Sequence, residues 1–480
     1  MTVLTPRGLR RPLLIFAVLV SGALAAQPLD MDLFKGMKAR AIGPAGMSGR
    51  VTSIDVVESD KDVIYVGTAS GGLWRSVNGG TTFSPIFDDQ NAASIGAVAV
   101  NQSNPDLIWV GTGEGNPRNS QTGGTGMYRS IDGGYTWQYL GLEESRSIHR
   151  IVLHPDEPDV AWIGVQGPAW GETEQRGVFR TTDGGATWEK VLFVNERTGI
   201  ADLVLDPSNP NKLIAAMWEF RRWPWFFKSG GEGSGIYVTY DGGSSWEKRT
   251  SNDGLPKGEL GRIGLAIAPS SPDIVYAIVE SEQNAVYRSE DGGRKWAKRS
   301  DDKDPRSRPF YYADIFVDSQ NENRLYHIFS DISRSEDGGK TFEKIVKYTG
   351  DDMHPDNHAW WIDPDNPDFM INGNDGGLNI THDRGRTWRF IENLPLAQFY
   401  HIRVDDELPY NVYGGMQDNG SWKGPAYVWR FGGIRNAYWQ ELNFGDGFDV
   451  IPDPEDHRYG YAMSQGGHLN RYDADTGERR

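Results

Sequence analysis

The chain has 480 residues, of which 59 are glycine, 12% are aromatic and none is cysteine. That length predicts one large repeat domain or two to three ordinary domains, and the missing cysteines exclude thiol catalysis, thiolate metal sites and disulfides. The 49 basic and 66 acidic residues give a formal charge of −17, which argues against nucleic-acid binding, because such proteins present a basic surface.

The first residues predict a secretory signal peptide, residues 1–25. Arg7, Arg10 and Arg11 precede an apolar run, and Ala23-Leu24-Ala25 has the small-x-small pattern of a cleavage site. The apolar run is shorter than the ~20 residues that a membrane span needs. The sequence therefore predicts a secreted or periplasmic protein with no stable membrane insertion after cleavage.

One short phrase recurs along the chain, as in "YRSIDGGYTW" and "YRSEDGGRKW". It returns at intervals of 46 to 58 residues, and self-similarity of that period is typical of repeat folds. The position of its acid is occupied seven times, by Asn78, Asp132, Asp183, Asp241, Asp291, Asp337 and Asp383.

The same order of short apolar segments and turns precedes each phrase. "IGAVAV" leads to the turn "NQSNPD", then to "LIWVGT", a variable loop and "GMYRS". Alternating β-branched and aromatic residues predict strands, and four strands per repeat predict a blade of a β-propeller. We expect the phrase to form the hairpin between the third and fourth strands, with its acid bonded to its own turn and its closing aromatic residue packed between blades. The residues at these seven positions are thus expected to be structural rather than catalytic.

The phrase resembles the Asp-box, or bacterial neuraminidase (BNR) repeat, Ser-x-Asp-x-Gly-x-x-Trp. Ser130, Asp132, Gly134 and Trp137 match it in full, whereas Asn78 departs at the acid and Phe83 and Phe342 depart at the aromatic position. The box is shared by sialidases, xyloglucanases, sortilin-type receptors and photosystem assembly factors. The resemblance therefore strongly implies the fold, but it gives little information about the function.

The repeat pattern changes after Trp388. Residues 33–395 predict seven Asp-box blades, and residues 396–480 predict further blades without the box. The last blade is either incomplete or closed by a strand at residues 37–45. The predicted fold class is all-β, a propeller of four-stranded antiparallel blades with eight or more blades; the alternative is a seven-bladed propeller followed by the start of a second.

The chain from about Leu33 onward resembles the sortilin N-terminal-like family of exported bacterial repeat proteins, often described as "glycosyl hydrolase, BNR repeat". The resemblance rests on "IGPAGMSGRVTSIDV", "DDMHPDNHAWWIDP", "GNDGG" and "YGGMQDNGSW". Such proteins are commonly much longer, which implies that this chain is the N-terminal part of a longer protein.

Function is expected on the face opposite the Asp-boxes, where the loops between the second and third strands and the connections between blades emerge. Five acids are candidates for the paired carboxylates of a glycoside hydrolase: Glu114, Glu219, Asp375, Asp418 and Asp446. The candidate ligand-binding residues are Arg118, Trp170, Arg221, Arg222, Trp223, Trp225, Tyr311 and His358. His354, Asp356 and His358 are weaker candidates for metal ligands.

Three functions fit these residues. The favoured one is an exported binding module for a peptide, a protein or a carbohydrate, with no nucleic acid partner and no cofactor. The alternatives are a glycoside hydrolase and an assembly or scaffold protein. A sialidase would need three arginines and a tyrosine nucleophile, for which Arg50, Arg262 and Tyr311 are the nearest candidates.

Overall fold

The computed structural model describes residues 30–37, 40–43, 46, 48–301, 308–312, 314–349 and 353–480. The predicted signal peptide lies outside these residues. The described part of the chain holds short 3-10 helices and no α-helix, and none of its helices is long and apolar enough to cross a bilayer. The 3-10 helices are Met31–Phe34, Glu143–Ser145, Ser251–Asp253, Asn436–Tyr438 and Gln465–Gly467.

The strands of the first four sheets follow one another in chain order, and all lie within Ile42–Arg480. The first sheet has β1 Val51–Val56, β2 Val63–Thr68, β3 Leu73–Val77 and β4 Ser84–Pro85; the second has β5 Ile95–Val100, β6 Ile108–Thr112, β7 Met127–Ser130 and β8 Gln138–Tyr139. The third has β9 Ile148–Leu153, β10 Ala161–Val165, β11 Gly177–Thr181 and β12 Glu189–Leu192; the fourth has β13 Thr198–Asp206, β14 Asn209–Trp223, β15 Phe226–Ser229, β16 Gly235–Thr239 and β17 Glu247–Lys248.

Five more sheets complete the described chain. The fifth has β18 Ile263–Ile267, β19 Val275–Val279, β20 Ala285–Ser289 and β21 Ala297–Ser300; the sixth has β22 Asp314–Asp318, β23 Asn321–Ile328, β24 Ile332–Ser335 and β25 Glu343–Val346. The seventh has β26 Asn357–Ile362, β27 Met370–Asn374, β28 Gly377–Thr381 and β29 Arg389–Phe390; the eighth has β30 Phe399–Val404, β31 Asn411–Met416, β32 Ser421–Pro425 and β33 Gln440–Asn443. The ninth has β34 Gly447–Pro452, β35 Tyr459–Ser464 and β36 His468–Asp473.

Each sheet pairs its strands antiparallel and in chain order, with β15 as an added strand on β14. The all-β prediction of four-stranded antiparallel sheets is therefore confirmed. In the first seven sheets the first strands are more buried than the fourth strands: β5 is buried throughout, whereas β8 is short and exposed. Very short outer strands limit edge-to-edge pairing between molecules.

The Asp-box hairpins take their hydrogen bonds from within their own turns. In the second sheet the Asp132 carboxylate accepts hydrogen bonds from the Ser130 hydroxyl (2.8 Å) and the Thr136 amide (2.8 Å). Gly133 and Gly134 both have positive φ, +70° and +91°, a conformation that side chains disfavour. The Trp137 indole N–H donates to the Ile86 carbonyl in the first sheet at 2.7 Å, so the closing aromatic residue ties one blade to the preceding one.

Neighbouring sheets approach closely because a glycine in one second strand faces a branched residue in the next first strand. A Cβ added at Gly67, Gly111 or Gly164 would lie 2.4 to 2.6 Å from an isoleucine methyl of the following sheet, namely Ile95, Ile148 and Ile200 in turn. Gly373 of the seventh sheet has the same relation to Val51 of the first, at 2.4 Å. The first and seventh sheets also share one buried core cluster.

This contact joins the beginning of the repeat to its seventh copy, so the first seven sheets form a ring. The number of blades and the start of a second propeller stay predictions. The eighth and ninth sheets share a separate core cluster. The strand expected at residues 37–45 is only partly described, and its described residues carry no strand.

Gly373→Ala tests the ring contact. We expect this change to lower the free energy of unfolding by about 1–3 kcal/mol, because it overpacks the space that the Val51 side chain fills. Urea denaturation measures the effect, and Gly171→Ala is the control, since its added Cβ would meet no atom closer than 3.6 Å. The cost should shrink in a Val51→Ala background. An equal cost in both backgrounds would show that the two residues do not oppose each other.

Candidate functional site

A single guanidinium joins three of the five candidate acids. Arg50 precedes β1, and its Nε and Nη2 donate to the two carboxylate oxygens of Asp375 at 2.6 and 3.3 Å. Nη1 donates to Glu114 at 3.2 Å and Nη2 to Asp418 at 3.3 Å. The cluster therefore links the first, second, seventh and eighth sheets. Its side chains are buried except that of Asp418, which is 15% exposed.

The environment separates the pKa values of these acids. Burial alone would raise the pKa of Asp375, but the charge of Arg50 and the contact with His358 hold it well below its ordinary value. Burial raises the pKa of Glu114, against the attraction of Arg50. Burial and the nearby charge of Asp375 raise the pKa of Asp418 to about 8. Asp375 is thus ionised and Asp418 protonated at neutral pH.

Aromatic side chains close the cluster on the side of the sixth sheet. The His358 Nε2 lies 2.9 Å from an Asp375 carboxylate oxygen, and its ring meets the edge of Tyr311 at a centroid distance of 4.9 Å. The Arg118 guanidinium lies over the same tyrosine ring at 5.2 Å and 3.5 Å from Asp418. Arg118 and Tyr311 therefore connect the buried cluster to the surface.

A pocket of about 610 Å³ opens above this cluster. All of its lining residues come from loops between second and third strands, from connections between sheets, or from a strand that adjoins such a connection. The lining residues are Pro117, Arg118, Asn119, Ser120, Arg222, Arg308, Phe310, Tyr311, Tyr400, Asp446, Phe448 and Gln465. Of the predicted site residues, the pocket brings together Arg118, Arg222, Tyr311 and Asp446. Asp418 lies behind the wall, where its amide donates to Asp446 at 2.6 Å.

Two aromatic residues of the pocket were missed by the sequence analysis. Tyr400 in β30 and Phe448 in β34 stack face to face, with centroids 4.7 Å apart and ring planes 7° apart. The signal that could have found them is the position of each aromatic residue next to a sheet-to-sheet connection on the predicted functional face. Such flat aromatic surfaces suit sugar rings and apolar peptide side chains.

The segment "EFRRWPWFFKSGG", which carries the candidates Arg221, Arg222, Trp223 and Trp225, is a strand hairpin rather than one of the loops expected between second and third strands. β14 continues to Trp223 and pairs with β15 as a hairpin, with Trp223 opposite Phe226. The alternating aromatic residues favour this strand pairing. Phe227 packs against Phe310 of the pocket, whereas Trp225 at the turn is 83% exposed. The Arg221 guanidinium lies over the Trp223 ring, 5.5 Å from its centroid.

Two further predicted residues lie apart from the pocket. Trp170 is partly exposed and does not line it. Glu219 is buried in a different group, 3.5 Å from Arg197 and 3.9 Å from Lys228. Glu219 therefore belongs to a different group of charges from the acids around Arg50.

The weak metal candidates do not form a common site. The His354 ring nitrogens lie 2.8 and 3.2 Å from the carbonyl oxygens of Pro355 and Asp418. Asp356 accepts a hydrogen bond from the Ser330 hydroxyl at 2.9 Å, and His358 faces Asp375. Within the described ranges, these three residues are not among those whose ligand atoms could hold one ion.

The arginines considered for a sialidase are also engaged within the protein. Arg50 is neutralised by carboxylates, and Arg262 donates to the carbonyl oxygens of Tyr311 (2.9 Å) and Phe310 (3.3 Å). Both arginines are buried, so neither offers a free guanidinium to a substrate. Arg262 instead fixes the connection that carries two pocket residues.

Comparisons with known proteins agree with the fold. The family model for "Sortilin, neurotensin receptor 3" matches residues 125–252. A xyloglucanase from Paenibacillus sp is 26% identical over 345 residues, which are 63% of this chain and 32% of that enzyme. The chain thus spans about a third of the length of this curated relative.

Two solved structures share the architecture. The GH74 enzyme of Niastella koreensis superposes with a TM-score of 0.62 at 16% identity, over 92% of this chain and 67% of that chain. The GH74 xyloglucanase of Xanthomonas campestris gives a TM-score of 0.57 at 15% identity, over 92% and 74%. The fold and its sheet order define the chain as a β-propeller protein. Its hairpins make it, more narrowly, a propeller of the Asp-box or BNR-repeat type.

The raised pKa of Asp418 makes stability depend on pH. The folded chain holds this proton up to about pH 8, whereas the unfolded chain releases it near pH 4. The stability contributed by the protonated form is therefore lost as the pH rises from about 4 to about 8. Asp418→Asn, which keeps the shape without the charge, should therefore gain stability relative to the wild type between pH 5 and pH 9.

Denaturation at the two pH values measures this difference, and the exposed Asp89→Asn is the control. Parallel pH profiles for Asp418→Asn and the wild type would refute the protonated state of Asp418.

Proposed function

We propose that this chain is an exported binding module that holds a peptide, protein or glycan ligand in the pocket above Arg50. One observation carries the proposal: loops from separate sheets converge on a pocket that offers aromatic faces and three arginines. Four of the five acids considered for hydrolysis do not line that pocket. Three of them, Glu114, Asp375 and Asp418, instead contact the buried guanidinium of Arg50.

The lining residues specify how a ligand would be held. Tyr400 and Phe448 supply one flat apolar wall, and Phe310 and Tyr311 supply a second. The Arg222 guanidinium is fixed by the Pro117 carbonyl and the Asn119 side chain, so it is ordered before any ligand arrives. Preorganised side chains of this kind reduce the entropic cost of binding. A ligand with an apolar face and a polar or anionic group fits this arrangement.

The first test is a pair of arrays, one of glycans and one of peptides, probed with the exported chain. We expect a defined set of ligands from one array, and Tyr400→Ala should weaken their binding at least tenfold, about 1.4 kcal/mol. Tyr461→Ala is the matched control, because this tyrosine is also partly exposed, 46% against 38% for Tyr400, but lies outside the pocket. Equal losses in the two variants would exclude the pocket as the site, and no binding on either array would favour the scaffold role.

The second candidate function is glycoside hydrolysis. It is favoured by the separated pKa values, since a protonated Asp418 beside ionised carboxylates has the division of roles that acid–base catalysis requires. A similar protein is a xyloglucanase. Against it, Arg50 stands between Asp418 and Asp375, where a substrate would have to pass. The remaining pair, Asp418 and Asp446, is in contact through a backbone amide.

Incubation with xyloglucan separates the two functions. The binding module predicts no release of reducing sugar by the wild type. Release that is lost in Asp418→Asn and Asp446→Asn, and is retained in Glu219→Gln, would establish the hydrolase instead. Glu219 is the control because it is a buried carboxylate outside the cluster.

A further inference from the structure

The eighth sheet has an aromatic connection in the position where the first seven sheets have an Asp-box. It comprises residues 426–439, between β32 and β33, and is called the aromatic loop below. Its sequence is "AYVWRFGGIRNAYW". No acid occurs between Trp422 and Gln440, so the carboxylate that orders the other hairpins is replaced by a different arrangement.

Both ends of the aromatic loop are anchored. The Ala426 amide donates to the Tyr410 carbonyl at 3.0 Å, and the Asn436 side chain donates to the Glu392 carbonyl at 2.9 Å. At the far end Trp439 is buried, and its indole N–H donates to the Ile42 carbonyl at 2.8 Å. The loop therefore leaves the sheet and returns to it at fixed points.

The middle of the loop presents large apolar side chains to solvent. Trp429 is 84% exposed, and Phe431 is fully exposed. Tyr427 packs edge-on against Trp429 at 4.9 Å, and the exposed Leu408 and Tyr410 extend the patch on the neighbouring turn. Exposed patches of this kind mark interaction surfaces, and tryptophan, tyrosine and arginine are the residues that contribute most binding energy there.

The charge of the loop indicates the chemistry of the partner. Arg430 and Arg435 are exposed, and neither has an ion pair within the described residues. On the turn that carries Leu408 and Tyr410, Asp406 and Glu407 lie 3.0 and 3.5 Å from His457. In a chain of charge −17, two free cations beside exposed aromatic rings favour an acidic partner by charge complementarity.

From this surface we infer a second binding site, independent of the pocket, at which the aromatic loop docks an acidic segment of a protein partner. Trp429 and Phe431 enter an apolar recess of that partner, and Arg430 and Arg435 pair with carboxylates around it. The site lies at the Asp-box position of its sheet, where the repeat pattern itself predicts only a structural turn.

A phage-displayed random-peptide library selected on the full chain tests the inference. We expect enriched peptides that combine acidic and apolar residues. Their affinity should fall at least tenfold in Trp429→Ala/Phe431→Ala. In Arg430→Ala/Arg435→Ala the affinity should also fall, and it should no longer depend on the salt concentration.

Trp225→Ala is the matched control, since Trp225 is a tryptophan of the same exposure, 83%, elsewhere in the chain. Tyr400→Ala separates this site from the pocket. Equal melting temperatures verify that each variant folds.

Several results would overturn the inference. They are the absence of enriched peptides, peptides without acidic residues, and peptides that bind Trp429→Ala/Phe431→Ala as tightly as the wild type. Two other occupants are tested in parallel. Sedimentation with anionic phosphatidylserine vesicles that is lost in Trp429→Ala would assign the loop to a lipid surface. A dimer in sedimentation equilibrium that is lost in the same variant would assign it to a second copy of this chain.

Discussion

The close approach of adjacent sheets is the constraint on which the rest of the structure depends. At four junctions a first strand presents a branched side chain, and the preceding second strand accommodates it by having a glycine at the facing position. Gly373 and Val51 make the same contact as Gly111 and Ile148. The seventh sheet therefore packs against the first sheet in the same way as the second packs against the third. Closure of the ring then places Arg50, at the head of β1, next to Asp375 at the end of β27. The polar centre of the molecule is a consequence of that apolar packing.

The buried cluster shows how such a centre is tolerated. An arginine without partners in the interior would be very costly, and so would three ionised carboxylates crowded together. The structure resolves both problems by pairing the guanidinium most closely with Asp375 and raising the pKa values of Glu114 and Asp418. The charge is therefore balanced within the cluster. Arg118 and Tyr311 connect this cluster to the pocket wall.

The parts of the fold that depend on neighbouring residues could be predicted from sequence. An Asp-box is complete within eight residues, and the hydrogen bonds of its acid span at most four positions, so its sequence was sufficient to predict the hairpin and the strand order. The partners of Arg50 are 64, 325 and 368 residues away, and no local pattern indicates which acids converge. The hairpin of β14 and β15 was missed for another reason. The aromatic and glycine content of this hairpin is typical of a binding loop. The alternation of its aromatic residues, however, is typical of a strand.

The contacts of Arg50 also determine whether a whole blade can be removed from this protein. Tandem repeats invite the loss or gain of whole units by recombination, and a chain shortened by one blade could retain every Asp-box motif that remained. It would nevertheless separate a guanidinium from carboxylates contributed by distant copies. The repeats thus share one architecture, but each must keep its place in the chain. Substitutions on their surfaces are therefore tolerated far more readily than a change in their number.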